Sequence, residues 1–207
     1  MRTIIFYVVF VLFTHSVFAE GTAFERVQLS YGISLEIPSH WEVLSQDAKQ
    51  NLAAAAESMG KNAGVVDDNG KKERLLAVSA LPMPSGAKIR VSVTSPPEYT
   101  QDNLSATSAS ELNQLQPEFY AMFNKMMVSG GLKLLEMKLP RIERFNDKLA
   151  LVLDYTRTDA YGSSPWQVIQ YKIPVSDRLI EFTLSYRLSD AIVWKPILEN
   201  VKSSIRF

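Results

Sequence analysis

The sequence predicts an α+β domain, a sandwich of helices on a mainly antiparallel sheet. Three observations carry this. Most of the chain alternates apolar and polar residues with period two, three stretches switch to helical period, and short turn-rich loops separate the later strand patterns. Short loops imply antiparallel neighbours, because a parallel pair needs a crossover of about a dozen residues or more. A strand with one apolar face must lay it on another layer, and the helices provide that layer.

Val27 and Leu29, then Ile33, Leu35 and Ile37, alternate with polar neighbours on either side of Tyr31-Gly32, as in a hairpin or bulged strand. Pro38 ends the run, since proline has no N–H for the ladder. Ser45 can cap a helix with Asp47 in its first turn, followed by Leu52, Ala53 to Ala56 and Met59, and stopped at Gly60 or Gly64. Ala63 to Lys72 reads as an exposed loop. Strand patterns come next at Leu76, Val78 and Ala80 and at Ile89, Val91 and Val93, and Ser95 to Ser108 reads as a long connection. Ser108-Ala109-Ser110-Glu111 is a capping box. The helix it opens carries Leu112, Leu115, Phe119, Met122, Phe123 and Met126 to Gly130-Gly131, and Pro117 is expected to divide or kink it. Strands then recur at Leu135, Met137 and Leu139; at Leu149, Leu151, Leu153 and Tyr155; at Ile169, Tyr171 and Ile173; and at Ile180, Phe182, Leu184 and Tyr186. Trp194, Ile197, Leu198, Val201 and Ile205 keep one face of a closing helix.

Composition narrows the function classes. The 207 residues are 46% hydrophobic and 21% charged, which is ordinary globular usage. Basic and acidic side chains number 22 each, so no basic excess exists to neutralise a phosphate backbone, and nucleic acid is not an expected partner. The absence of cysteine removes thiolate nucleophiles, Cys-ligated zinc, Fe–S clusters and disulfides together.

The compartment is read from residues 1–19. Arg2 precedes an unbroken apolar run from Ile4 to Phe13, followed by Thr14-His15-Ser16 and then Val17-Phe18-Ala19. That is the layout of a signal peptide cleaved after Ala19, leaving residues 20–207 as one exported domain. The apolar run as a helix would be about half as long as the ~30 Å hydrocarbon core is thick. No later run approaches a membrane span, so the processed product is not expected to be an integral membrane protein. The location is periplasmic, with an extracellular one as the alternative.

No motif names a catalytic, cofactor-binding or metal-binding residue, and no cofactor is expected. After cleavage His40 is the only histidine, placed in a turn and expected to be solvated. A Ser–His–acid triad would need it, but no G-x-S-x-G elbow accompanies it, and Ser163 and Ser164 lie in a plain turn. Asp67-x-Asn69-Gly70 fails as an EF-hand because Val65 and Leu76 fall where oxygen donors belong. Asn103-Leu104-Ser105 matches a glycosylation sequon. Asp154 and Glu181 sit on polar alternate positions of strands, either as exposed carboxylates opposite Lys or Arg or as a hydrolase pair. The Phe119–Met122–Phe123–Met126 stripe is either the core side of a helix or an adaptable apolar groove. Lys71-Lys72-Glu73-Arg74 and Arg141-Ile142-Glu143-Arg144 mix signs and read as solvated, and Arg90, Arg157 and Lys172 read as exposed strand positions.

Two segments resemble the PsbP-like superfamily, which includes bacterial DcrB-type envelope proteins. Tyr31-Gly32-Ile33-Ser34-Leu35-Glu36-Ile37-Pro38-Ser39-His40-Trp41 is similar to its opening, a Gly-led strand running into Pro-x-x-Trp. Val201-Lys202-Ser203-Ser204-Ile205-Arg206-Phe207 is similar to its closing helix and tail. The resemblance covers nearly all of residues 24–207. It implies an α/β/α sandwich around an antiparallel sheet and a binding or accessory role, not catalysis. The chain lacks the lipobox cysteine of DcrB lipoproteins.

Three functions fit these observations. The first is that of a non-catalytic binding or accessory protein of the cell envelope, contacting another envelope or secreted protein. The others are a carrier of a small apolar ligand, which needs a dry pocket of roughly 300 Å³ or more, and a carboxylate-based hydrolase.

Overall fold

β1 (Phe24–Gln28) and β2 (Ser34–Pro38) pair antiparallel as a two-stranded ribbon, turned by Tyr31 and Gly32 with φ of 66° and 74°. The computed structural model describes residues 22–64, 71–159 and 164–207. The signal-peptide segment, the Asp67-Asp68-Asn69-Gly70 loop and residues 160–163 lie outside them.

The main sheet has eight antiparallel strands. They are β3 (Glu42–Val43), β4 (Lys71–Ser79), β5 (Ala87–Ser95), β6 (Leu134–Met137), β7 (Arg141–Phe145), β8 (Lys148–Arg157), β9 (Trp166–Val175) and β10 (Arg178–Arg187). Their order across the sheet is β3-β4-β5-β10-β9-β8-β6, with β7 also paired to β8. Helices α1 (Gln46–Asn62), α2 (Gln101–Ala106), α3 (Ala109–Ser129) and α4 (Ala191–Ser204) complete the domain.

The sheet has a hydrophobic cluster on each side. On one side the β1–β2 ribbon and α4 bury Ile33, Leu35, Ile37, Leu198 and Val201 against Val78, Ile89, Val91, Val152, Ile173 and Phe182. On the other, α2 and α3 bury Leu104, Leu112, Phe123 and Met127 against Leu153, Tyr155 and Val168. Helices thus lie on both faces, and the architecture is the expected α/β/α sandwich. α1 leans on β4 at one end and on α3 at the other.

Several elements differ from expectation. The long connection contains α2, held by a second capping box in which Thr100 and Asn103 bond each other's backbone N–H. α3 runs unbroken through Pro117, because Pro117 and Asn113 face solvent and water can serve the carbonyl that proline leaves free. Of the two expected stops for α1, Gly60 is passed and Gly64 takes the left-handed turn at φ +64°, as expected. Ala53 to Ala56 are exposed, so α1 contributes almost nothing to a core. In β6 the register shifts between Leu134 and Glu136, which sends both Leu134 and Met137 inward and leaves Leu135 49% exposed; Leu139, beyond the end of the strand, is also 49% exposed. Arg141 to Arg144, expected as a solvated run, lies in β7, with Arg141, Ile142 and Glu143 half-buried. The two-residue β3 is too short to leave an alternating pattern.

Candidate functional site

Directly paired residues on neighbouring strands share a face of the sheet, and this decides the carboxylate question. Glu181 pairs with Lys172, which pairs with Leu151 on the α2–α3 side. Asp154 pairs with Ile169, which pairs with Leu184 on the α4 side. The two carboxylates therefore lie on opposite faces, where they cannot flank one scissile bond. Neither is exposed, contrary to the sequence reading. Asp154 is 5% exposed and receives Lys138 at 3.1 Å, Arg141 at 3.5 Å and a hydrogen bond donated by Gln167 Nε2. Glu181 sits between Lys72 at 3.2 Å and Lys172 at 3.8 Å. Burial alone would raise the Glu181 pKa, but the attraction of Lys72 and Lys172 overrides it and holds the carboxyl below its ordinary value. His40 is exposed in the turn after β2.

The Met/Phe stripe is mostly core. Phe123 and Met127 are buried, the Phe123 ring 5.0 Å from that of Tyr155, while Phe119, Met122 and Met126 are half-buried behind them. A cleft of about 280 Å³ opens between α2 and α3, lined by Tyr99, Leu104, Leu112, Leu115 and Phe119 with Glu98 and Lys172 at its edge. It uses none of the methionines. The Tyr99 hydroxyl is buried without a hydrogen-bond partner, and that burial, with Glu98 and Glu181 near, raises its pKa.

The third feature is the part of the α2–α3 side that neither of those helices covers. Its cross-strand rows are polar. Ser79, Lys88 and Ser185 form one row that ends on Val168 and Tyr155, and Ala77, Arg90, Thr183 and Gln170 form the next. Arg74, Ser92, Glu181 and Lys172 form a third. At the end of the face Arg157 and Trp166 pair directly. Lys88 Nζ lies 5.0 Å and the Arg157 guanidinium 5.9 Å from the centre of the Trp166 ring, so both cations rest on one indole.

Arg74, Lys88, Arg90 and Arg157 are all half-buried here. Among the described residues no carboxylate comes within 4 Å of any of them. Nε of Arg74 is buried without a partner. Burial, with Arg74 and Arg157 beside it, pushes the Arg90 pKa down to about 10. Lys88 is lowered by burial and then by Arg90 and Arg157, with Asp159 pulling the other way. These groups hold charge in a setting that penalises it. Arg90, Arg157 and Lys172, expected at exposed positions, are half-buried because their strands are flanked by helices. The signal is present in the sequence: Lys88, Arg90, Ser92 and Thr94 alternate with Ile89, Val91 and Val93. Alternation alone does not reveal a polar face flanked by helices.

Among the described residues no cluster of three His, Asp or Glu side chains could hold a metal, and no helix is long and apolar enough to cross a membrane. The ribbon, the order of the sheet and the helices on both sides define a PsbP-like fold. The cyanobacterial PsbP protein CyanoP of Synechocystis sp. PCC 6803 matches with a TM-score of 0.53 and 15% identity, over 89% of this chain and 92% of that one. LpqN of Mycobacterium tuberculosis, involved in cell envelope biogenesis, matches with a TM-score of 0.46 and 8% identity, over 88% and 89% of the two chains. No model of a known family and no curated protein matches the sequence.

Proposed function

We propose that this is an exported, non-catalytic accessory protein of the cell envelope, which binds another protein through the helix-flanked polar face of its sheet. Residues 1–19 are its cleaved signal peptide and 20–207 its mature domain. One observation carries the reading: four half-buried cations share a face with no carboxylate within 4 Å among the described residues, which is costly in the free protein and is relieved by a binding partner. The hydrolase reading loses its carboxylate pair to opposite faces of the sheet. The carrier reading is left with a mostly apolar cleft of about 280 Å³ that has Glu98 and Lys172 in its lining, just under the roughly 300 Å³ such a ligand needs.

The test is site-specific photocrosslinking in the native envelope, with the crosslinker at exposed Ala53 on α1, beside the face. One protein adduct is expected in the wild type. Arg90→Glu should abolish it at normal protein level, and Lys195→Glu, exposed on α4 across the sheet, should not. No adduct, or an adduct indifferent to Arg90→Glu, would remove this face from the function.

A further inference from the structure

A binding face does not by itself fix the chemistry of its partner. Resting on the binding function proposed above, we infer that the face receives an extended acidic segment of the partner protein, whose carboxylates pair with Arg74, Arg90, Lys88 and Arg157.

Charge sets the sign. Four cations stand here, while Glu181, the carboxylate in their strand-paired rows, is already held by Lys72 and Lys172. Asp159 acts on Lys88 and is not among the charges that act on Arg74 or Arg90. The guanidinium groups supply planar forks suited to carboxylate oxygens, and the buried, unpartnered Nε of Arg74 is one such donor left free.

Extent sets the form. Arg74 stands on β4 and Arg157 on β8, four inter-strand steps away in the order β4-β5-β10-β9-β8, or roughly 19 Å at the usual strand spacing. One carboxylate or phosphate can satisfy one end of that span, whereas a chain with acidic groups a few residues apart can satisfy all of it. Shape excludes a lipid surface, since Arg90 lies half-buried on a sheet face flanked by α1 and α3. A flat bilayer meets helices before it meets Arg90, and a single extended strand does not. Nucleic acid would need a basic excess over a longer track than a chain of zero formal charge provides. Trp166 prepares the site by holding the heads of Lys88 and Arg157 over its ring before any ligand arrives.

The experiment is fluorescence anisotropy on the mature protein with a labelled octapeptide that alternates glutamate and serine. Saturable binding is expected, weakened by added salt, and absent for the lysine–serine counterpart. Arg90→Gln and Arg74→Gln should each weaken it about tenfold or more, as for a desolvated charge contact. Lys88→Gln repeats the test should either arginine variant fail to fold by circular dichroism. Wild-type affinity in folded Arg90→Gln or Lys88→Gln would overturn the inference. Equal competition by inorganic pyrophosphate would overturn it in favour of a small phosphate ligand, and binding to phosphatidylglycerol vesicles in favour of a lipid. If the peptide fails to bind while the envelope adduct still depends on Arg90, the acidic-segment inference falls and the binding face stands. If both fail, so does the face.

Discussion

The rings of Trp41 and Trp194 meet edge to face, with centroids 5.7 Å apart and planes at 77°. This contact fastens the end of the β1–β2 ribbon to the first turns of α4. Trp41 is 5% exposed and Trp194 half-buried. Gly86 lies under the second ring, where an added Cβ would come within 2.5 Å of Trp194 Nε1.

Trp41→Ala should therefore cost about 3–5 kcal/mol, and Trp194→Ala less, because part of its surface is already in water. Gly86→Ala should cost about 1–3 kcal/mol through overpacking, although it adds one methyl group. Urea melts read all three, and a Gly86→Ala curve overlaying the wild type would mean that Trp194 moves freely.

Glu181 links stability to acid. Its folded pKa lies below the ordinary 4.5, so its contribution is present above that value and is lost as pH falls through the folded one. Wild-type stability should drop as pH falls below about 4.5, more steeply than in Glu181→Gln. Parallel slopes in pH-dependent urea midpoints would show that Lys72 and Lys172 do not hold this carboxylate.

The β6 register makes a contrast within one dipeptide. Leu134 is 8% exposed and Leu135 is 49% exposed. Leu134→Ala should cost about 2–3 kcal/mol, and Leu135→Ser should stay within about 0.5 kcal/mol of wild type. Thermal melts that reverse this order would return the strand to the simple alternation Leu135, Met137, Leu139.

Export should leave Glu20 as the first residue, since Val17-Phe18-Ala19 offers small or β-branched residues one and three before the cut. Intact mass of the protein recovered from the envelope checks this. A full-length, membrane-integrated product would contradict it.

Much of the fold is legible in the sequence because period two and period 3.6 are local. The ribbon around Tyr31-Gly32, the β8–β9–β10 meander, the Ser108 capping box and the apolar face of α4 all repeat within a few residues, and all are present. The features that escape the sequence are non-local or very short. α2 is six residues long, too short for periodicity to register. The β6 bulge puts Leu134 and Met137, three residues apart, on one face, which strict alternation does not allow. Asp154 and Glu181 look alike in sequence, and only strand pairing puts the sheet between them. The basic face escapes for the same reason. Alternation tells which residues leave the apolar core, whereas their burial depends on what the other side of the sheet carries.

The two ends of the domain are also joined. Ser34 in β2 exchanges two backbone hydrogen bonds with Arg206, 3.0 and 2.9 Å, and the Ser204 hydroxyl accepts from the Glu36 N–H at 2.8 Å. The first ribbon of the domain thus takes its outer partner from the last few residues. Its loop spans almost the whole chain, the slowest kind of contact to close. A chain that lacks residues 204–206 has nothing to offer Ser34 and Glu36, so that clasp can shut only once those residues have been made. Until then the N–H and C=O of Ser34 and the N–H of Glu36, on the outer edge of β2, stay open to other partners.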